Sequence, residues 1–303
     1  MPKTPIAILT GGTSSERKIA LRSSTFLKRL LDDRYRITVF DLPRQLPTFL
    51  AKRKHFALAI PVFHGVGGED GTIQGFLKTL GLPFLFSDVT THAIALNKAF
   101  TKTLIANLGI KTAHAITVSK QEMKTTVFKK PCVIKPLDGG SSIGVVLAKS
   151  KEEFTRGLQD VLRTSEQALV EDYLEGEEFT VAVIEDRGTV KALPVIEIRS
   201  KHMFFDYESK YDAALVEEIC PAPTPKQLSD KLQAIAISAH QLLGARHLTR
   251  TDIIVDKRGT PWFLEINTIP GLTSTSLTPK AMQAGGYDVA DLFTTWISQT
   301  LGK

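Results

Sequence analysis

Residues 250–267 read RTDIIVDKRGTPWFLEIN, and this stretch decides the architecture of the second half of the chain. Two runs rich in β-branched and aromatic residues, near 249–255 and 261–267, flank the turn signal Asp256-Lys257-Arg258-Gly259, so the pattern predicts an antiparallel hairpin. Side chains alternate along a strand. Arg250 and Asp252 therefore share one face, and so do Glu265 and Asn267. If the hairpin loop holds an even number of residues, all four fall on the same face, with Asp252 and Glu265 as cross-strand neighbours roughly 5 to 8 Å apart at Cβ. Two facing carboxylates repel unless a cation lies between them. Two carboxylates and an amide oxygen are hard ligands that suit Mg²⁺ bound together with phosphates. The other reading of the same residues is an ion-pair network of Asp252 and Glu265 with Arg250 and nearby lysines, and this pattern alone leaves both open.

Working outward from the hairpin, the middle and last parts of the chain read as α+β with antiparallel sheets. Strands are expected at 133–136 and 145–147, a helix at 151–162, and strands at 169–171, 179–184 and 190–198. Residues 227–243 place Leu228, Leu232, Ile235, Ala239 and Leu242 on one apolar helix face. A helix ends the chain. Residues 200–222 carry no clear period, which by itself favours a solvated loop, with a lid as the other reading. The first third alternates strand (6–9), helix (16–31), strand (37–40), strand (56–62), helix (72–80) and a short strand at 84–86. Such alternation predicts a parallel sheet covered by helices, with ligand loops at the strand carboxyl ends.

Composition narrows the function classes. The chain has 303 residues, enough for two or three packed subdomains, and a net charge of +6. That charge suits an anionic ligand such as a nucleotide. No Lys/Arg run is interleaved with aromatics, so nucleic acid is not expected as a partner. Cys132 and Cys220 form neither a disulfide framework nor a zinc spacing, as in a cytosolic protein with reduced thiols. The apolar stretch at 6–9 is too short for a signal peptide, no later segment reaches membrane-spanning length, and the expected location is the cytoplasm.

Three loops carry further candidates. Residues 138–144, DGGSSIG, lie between two expected strands and could offer backbone N–H groups to phosphate oxygens, although the loop lacks the Gly-Lys-Ser/Thr ending of a P-loop. Lys135 closes the strand just before it. Residues 11–16, GGTSSE, join the first strand to the first helix. There Thr13 and Glu16 spell a capping box, and the alternative puts the Glu16 carboxylate at a ligand mouth, where it could hold an ammonium group. In residues 64–71, HGVGGEDG, Asp70 reads as a cap for the next helix, and the four glycines suggest unusual backbone or a close ligand.

Taken in order, five segments resemble D-alanine:D-alanine ligases of the ATP-grasp superfamily: 11–16, 64–75 (HGVGGEDGTIQG), 133–145 (VIKPLDGGSSIGV), 206–211 (DYESKY) and 265–277 (EINTIPGLTSTSL). The resemblance covers nearly the whole chain. It implies a Rossmann-like parallel-sheet subdomain (1–93) followed by an ATP-grasp fold of two α+β subdomains (94–180 and 181–303), and a homodimer. It implies two Mg²⁺ ions, with Mn²⁺ an alternative, on Asp252, Glu265 and Asn267. Lys98 and Lys135 would contact ATP phosphates under the 139–144 loop, which includes Ser142. Residues 171–174, with Glu171, Tyr173 and Leu174, would bind adenine, and Glu178 the ribose. His64 would line the substrate site, and Glu16 would hold the ammonium of the first D-alanine. Arg250 and the Gly271 N–H would form the oxyanion hole. Ser276 and the Leu277 N–H would hold the second D-alanine's carboxylate. Lys210 and Tyr211 would lie on the lid, with Tyr211 meeting Ser141 and Glu16.

The implied activity is ATP-dependent joining of two D-alanine molecules through an acyl phosphate, releasing ADP and phosphate, for peptidoglycan precursors. The sequence departs from the family pattern at Ala20, at Asn97 where Asp is usual, at residues 84–87, and at Thr275 where many members have His. A hydroxy-acid acceptor such as D-lactate is a second reading, which the tyrosine at 211 disfavours. A nucleotide sensor without turnover is a third, and it has no need of Arg250. A nicotinamide enzyme is a poorer reading still, since no G-x-G-x-x-G follows the first strand.

Overall fold

The structure is a computed structural model and describes residues 3–140, 143–200 and 216–302. Three sheets organise it. The first contains β1 (Pro5–Gly11), β2 (Arg36–Leu42) and β3 (Leu58–Val62), all parallel, in the order β2-β1-β3. All five residues of β3 and all but the first of β1 are buried, as strands covered on both faces require. Helix α1 (Arg17–Leu31) lays Ala20, Ser23, Ser24, Leu27 and Leu31 toward the sheet. Two short helices, α2 (Leu46–Lys52) and α3 (Thr72–Thr79), complete this region.

Two expectations for this region need correction. The strand expected at 84–86 is a single parallel bridge between Ala59 and Phe84. Phe86 takes a φ of 72°, which ends the extended path, and its ring packs 6.3 Å from that of Phe293. The Thr13–Glu16 capping box does not form either, because Glu16 is the N-cap residue itself and its side chain makes no capping bond.

Helices α4 (Val89–Leu96) and α5 (Lys98–Ala106) follow, and neither was anticipated from periodicity. Asn97 caps α5 by accepting the Phe100 N–H at 3.1 Å. An amide oxygen serves that purpose as a carboxylate would, so this departure from the family pattern leaves the cap intact.

The second sheet is antiparallel, in the order β4 (Ala115–Ser119), β7 (Gln167–Asp172), β5 (Cys132–Pro136), β6 (Val146–Ala148). Helix α6 (Lys151–Thr164) covers it, with a full capping box from Ser150 and Glu153. Gly157 allows the close approach, since a Cβ there would lie 2.9 Å from Ile134 Cδ1.

The third sheet runs β11 (Val216–Ile219), β10 (Ile196–Ser200), β8 (Gly176–Asp186), β12 (Leu248–Asp256), β13 (Pro261–Asn267), with β9 (Thr189–Ala192) also on β8. The strand expected at 190–198 is thus broken into β9 and β10. Pro194 has no N–H to give a ladder, and the break falls there. Part of the aperiodic 200–222 segment is the edge strand β11. Helix α7 (Lys226–Leu242) packs on this sheet, and the single terminal helix expected is two, α8 (Leu277–Ala284) and α9 (Val289–Thr300), parted at Gly285-Gly286.

One apolar core joins the first and third sheets: Ile6, Ile8, Leu58 and Ile60 cluster with Ile196, Leu248, Phe293 and Trp296. The second sheet keeps its own core around Ile134, Phe154, Leu158 and Val170. A cleft lies between the second and third sheets.

Candidate active site

The hairpin β12–β13 pairs Arg250 with Asn267 and Asp252 with Glu265. The loop enclosed by the innermost pair, Val255 and Pro261, is residues 256–260, an odd number, contrary to the condition under which the four side chains would align. The register shifts between Asp252 and Ile253, where Leu264 is the extra residue on β13. This bulge restores the parity and turns Glu265 and Asn267 to the face of Arg250 and Asp252.

The two cross-strand pairs face different chambers. Asp252 and Glu265 border a cleft lined by Lys98, Lys135, Glu171, Tyr173, Leu174 and Glu178. Arg250 and Asn267 border a second chamber with Glu16, His64, Gly271, Ser276 and Leu277. A narrow space that touches Lys98, Glu265, Asn267 and Gly140 joins them. Every expected site residue that the structure describes therefore borders one chamber or the other. Ser141, Ser142, Lys210 and Tyr211 lie outside the described residues.

In the first chamber Lys98 stands at the start of α5, 3.6 Å from a Glu265 oxygen, and it donates to the Gly139 carbonyl. Lys135 is 3.2 Å from a Glu171 oxygen, and Lys102, which the sequence reading passed over, is 3.2 Å from the same oxygen. Lys102 sits one helical turn beyond Lys98, a spacing that could have revealed it. Burial would raise the Glu171 carboxyl, yet the two lysines hold it below the usual range; burial lowers the Lys102 ammonium.

At the seam, Asp252 accepts two bonds from Arg250, at 2.9 and 2.8 Å, one from Thr180 Oγ1 at 2.5 Å, and one from Asn267 Nδ2 at 3.3 Å. Burial works against the Arg250 charge, but Asp252 outweighs it and the guanidinium pKa is raised, so Arg250 is a permanent cation. Among the described residues no three His, Cys, Asp or Glu side chains gather as a metal set. What gathers is two carboxylates and an amide. That donor set fits a hard divalent cation whose remaining ligands are phosphate oxygens and water.

In the second chamber Glu16 is buried. Gly65 and Gly140 leave it room, since a Cβ on either would lie 2.8 Å from Glu16 Oε2. Ser276 precedes α8, and its hydroxyl accepts the Thr273 N–H at 3.0 Å and meets Thr273 Oγ1 at 2.7 Å. A Cβ on Gly271 would lie 2.9 Å from that hydroxyl, so glycine lets this loop fold back on itself. Asp70, expected as a cap, accepts from Thr72 N and Gly67 N and braces the loop before α3. The residue beside it, Glu69, was missed. Burial and the nearby Glu16 push its carboxyl up to about 7.

Comparison with known proteins supplies further findings. The family described as D-ala D-ala ligase C-terminus matches residues 104–298. The chain is 39% identical to the D-alanine–D-alanine ligase of Desulfotalea psychrophila, over 98% of this chain and 95% of the relative. A crystal structure of D-alanine–D-alanine ligase from Bacillus anthracis superposes with a TM-score of 0.85 at 31% identity, covering 99% of this chain and 98% of that one. The same enzyme complexed with ATP gives 0.83 at 28% identity, with the same coverage.

Proposed function

The chain belongs to the D-alanine–D-alanine ligase family, and from that premise we propose how its two chambers work. It is an ADP-forming carbon–nitrogen ligase that uses ATP to join two D-alanine molecules into D-alanyl-D-alanine, for peptidoglycan precursor synthesis. The observation that carries the mechanism is the seam, where Asp252 and Glu265 face one chamber while Arg250 and Asn267 face the other.

In this reading ATP occupies the cleft between the sheets. Its phosphates lie against Lys98 and Lys135, its adenine along Glu171, Tyr173 and Leu174, and its ribose at Glu178. The first D-alanine sits in the second chamber with its ammonium on Glu16 beside His64. Its carboxylate oxygen attacks the γ-phosphorus through the seam, ADP leaves, and an acyl phosphate remains. The second D-alanine is held by its carboxylate on the Ser276 hydroxyl and the Leu277 N–H at the start of α8, where a helix N-terminus favours an anion. Its amine attacks the acyl carbon, gives up a proton to the departing phosphate or to solvent, and expels phosphate with the C–O electron pair. The tetrahedral oxyanion falls between Arg250 and the Gly271 N–H. Loss of such a donor costs roughly 3 to 4 kcal/mol of transition-state stabilisation.

Asp252, Glu265 and Asn267 are the residues that would hold Mg²⁺, as two ions, with Mn²⁺ as a substitute. When bound, the metal would neutralise charge on the transferring phosphoryl group. Ser141, Ser142, Lys210 and Tyr211 are assigned by resemblance to the cover that keeps water from the acyl phosphate. The subdomain divisions 1–93, 94–180 and 181–303 rest on resemblance. The homodimer rests on resemblance, and the cytoplasmic location on the need for ATP. Among the described residues no helix is long and apolar enough to cross a membrane.

The test is mass spectrometry of the product formed from ATP, Mg²⁺ and D-alanine, with phosphate release followed in parallel. Absence of D-alanine-dependent phosphate between about pH 6 and 9 sinks the reading. Glu265→Gln removes one of the charges proposed to hold the metal, and its turnover is expected to fall at least about a hundredfold. Near-normal rates would take Glu265 out of the metal site.

A further inference from the structure

The ligation proposed above needs two distant loops to hold one substrate. One follows β3 and carries His64; the other follows β13 and carries Gly271. Glu69 belongs to the first loop, reaches across to the second, and has no part in the roles assigned so far. It is buried, and its two oxygens take one backbone N–H from each loop: Oε2 from Gly65 at 2.9 Å and Oε1 from Ile269 at 3.1 Å. Gly65 lies against the Glu16 carboxylate. Ile269 is two residues before Gly271, with Pro270 stiffening the step between. Glu69 also borders both the second chamber and the narrow space that joins it to the first.

We propose that Glu69 is a positioning residue of the ligation, a bracket that sets the distance between the Glu16 ammonium site and the Gly271 oxyanion donor. The inference rests on the ligase reading. A carboxylate suits the task because both its oxygens accept, so it can hold one N–H group of its own loop and one of the other. Glutamine keeps one acceptor and turns an amide N–H₂ toward the other donor. Aspartate keeps both acceptors but is one methylene short. Since both anchored groups are backbone, a fault at Glu69 shifts loops without removing any contact to substrate, and small misplacements of reacting groups are costly.

The experiment compares the full-length wild type with Glu69→Gln and Glu69→Asp. It measures kcat, KM for ATP and D-alanine, the active fraction, and phosphate released per dipeptide formed. For Glu69→Gln, kcat is expected to fall about a hundredfold while KM for ATP stays within about threefold. Phosphate is expected to exceed dipeptide, because a displaced Gly271 loop slows amine attack and leaves the acyl phosphate to water. Glu69→Asp should show the same uncoupling in milder form.

A kcat within about threefold of wild type with one phosphate per dipeptide overturns the proposal. So does a loss accounted for entirely by a smaller active fraction with normal coupling, which is what a merely structural role would give. If Glu69→Gln does not fold, Glu69→Asp decides by the same readouts, and failure of both to fold also overturns it. A wild type that makes no dipeptide removes the ligase reading instead, so the two failures are distinguishable.

Discussion

Gly140 and Glu16 show how much of this site depends on single atoms. Gly140 has no Cβ, and one added there would lie 2.8 Å from Glu16 Oε2. The atom met is the end of a side chain, so Gly140→Ala should fold with little loss of stability while displacing the carboxylate. The expected result is a kcat/KM for D-alanine lowered about 10- to 100-fold with a thermal midpoint close to that of wild type. Unchanged D-alanine kinetics would show that Glu16 needs no such room. The glycine-rich character of 138–144 was legible in the sequence and was read as a phosphate loop. That one of its glycines makes space for a carboxylate on a loop more than a hundred positions earlier was not legible, because nothing local encodes a contact at that separation.

At the scale of elements, the β12–β13 hairpin was legible as two strands, but the sequence put Arg250, Asp252, Glu265 and Asn267 on one face only for an even loop. The loop is odd, and the bulge at Leu264 corrects the register. A bulge leaves no composition signature here, so only the pairing reveals it. Helix α6 offers a contrasting case in which local chemistry suffices. The Ser150–Glu153 capping box satisfies its first turn through Ser150 Oγ and the Glu153 N–H at 3.2 Å. Ser150→Ala is expected to cost about 1 kcal/mol. In a chain this long that lowers the thermal midpoint by only about 2 to 4 °C, and kcat should not change. A larger loss of activity than of stability would mean that α6 steers the nucleotide cleft. Helices α4 and α5 escaped notice because their buried sides are set by packing on β13, around Ala95, Ile105, Phe263 and Ile266, with no clean repeat of their own.

Over the whole molecule, two buried histidines tie elements that are far apart in the chain, His92 meeting Thr268 at 2.6 Å and His247 accepting the Phe86 N–H at 2.9 Å, while a third, His240, meets nearby Thr249 at 2.9 Å. Burial lowers His92 and His240 to about 4 and His247 to about 3. Their folded values lie below the unfolded one of about 6.5, so the unfolded chain takes up protons first as the pH falls. Stability is then lost between about pH 6.5 and 4 for His92 and His240, and down to about pH 3 for His247, by up to about 1.4 kcal/mol per pH unit for each histidine. Glu69, raised to about 7, has the opposite sign: it takes stability away as the pH rises from the unfolded carboxylate value toward 7. Three groups outweigh one, and the urea midpoint is expected to be clearly lower at pH 5 than at pH 7, with His240→Gln shallower in slope. Equal midpoints would mean that these rings are hydrated in solution. The amino-acid sequence alone determined the strand–helix alternation of the first third with its parallel sheet, the antiparallel remainder, and the residue types of a nucleotide-dependent ligase, because periodicity, turns and short motifs are properties of neighbours in the chain. The tertiary structure alone decided which side of the seam each side chain faces, the pairing of Lys102 with Glu171, and the bracket formed by Glu69. Those depend on contacts across as many as 200 positions, where burial and register, and not local preference, choose the partner.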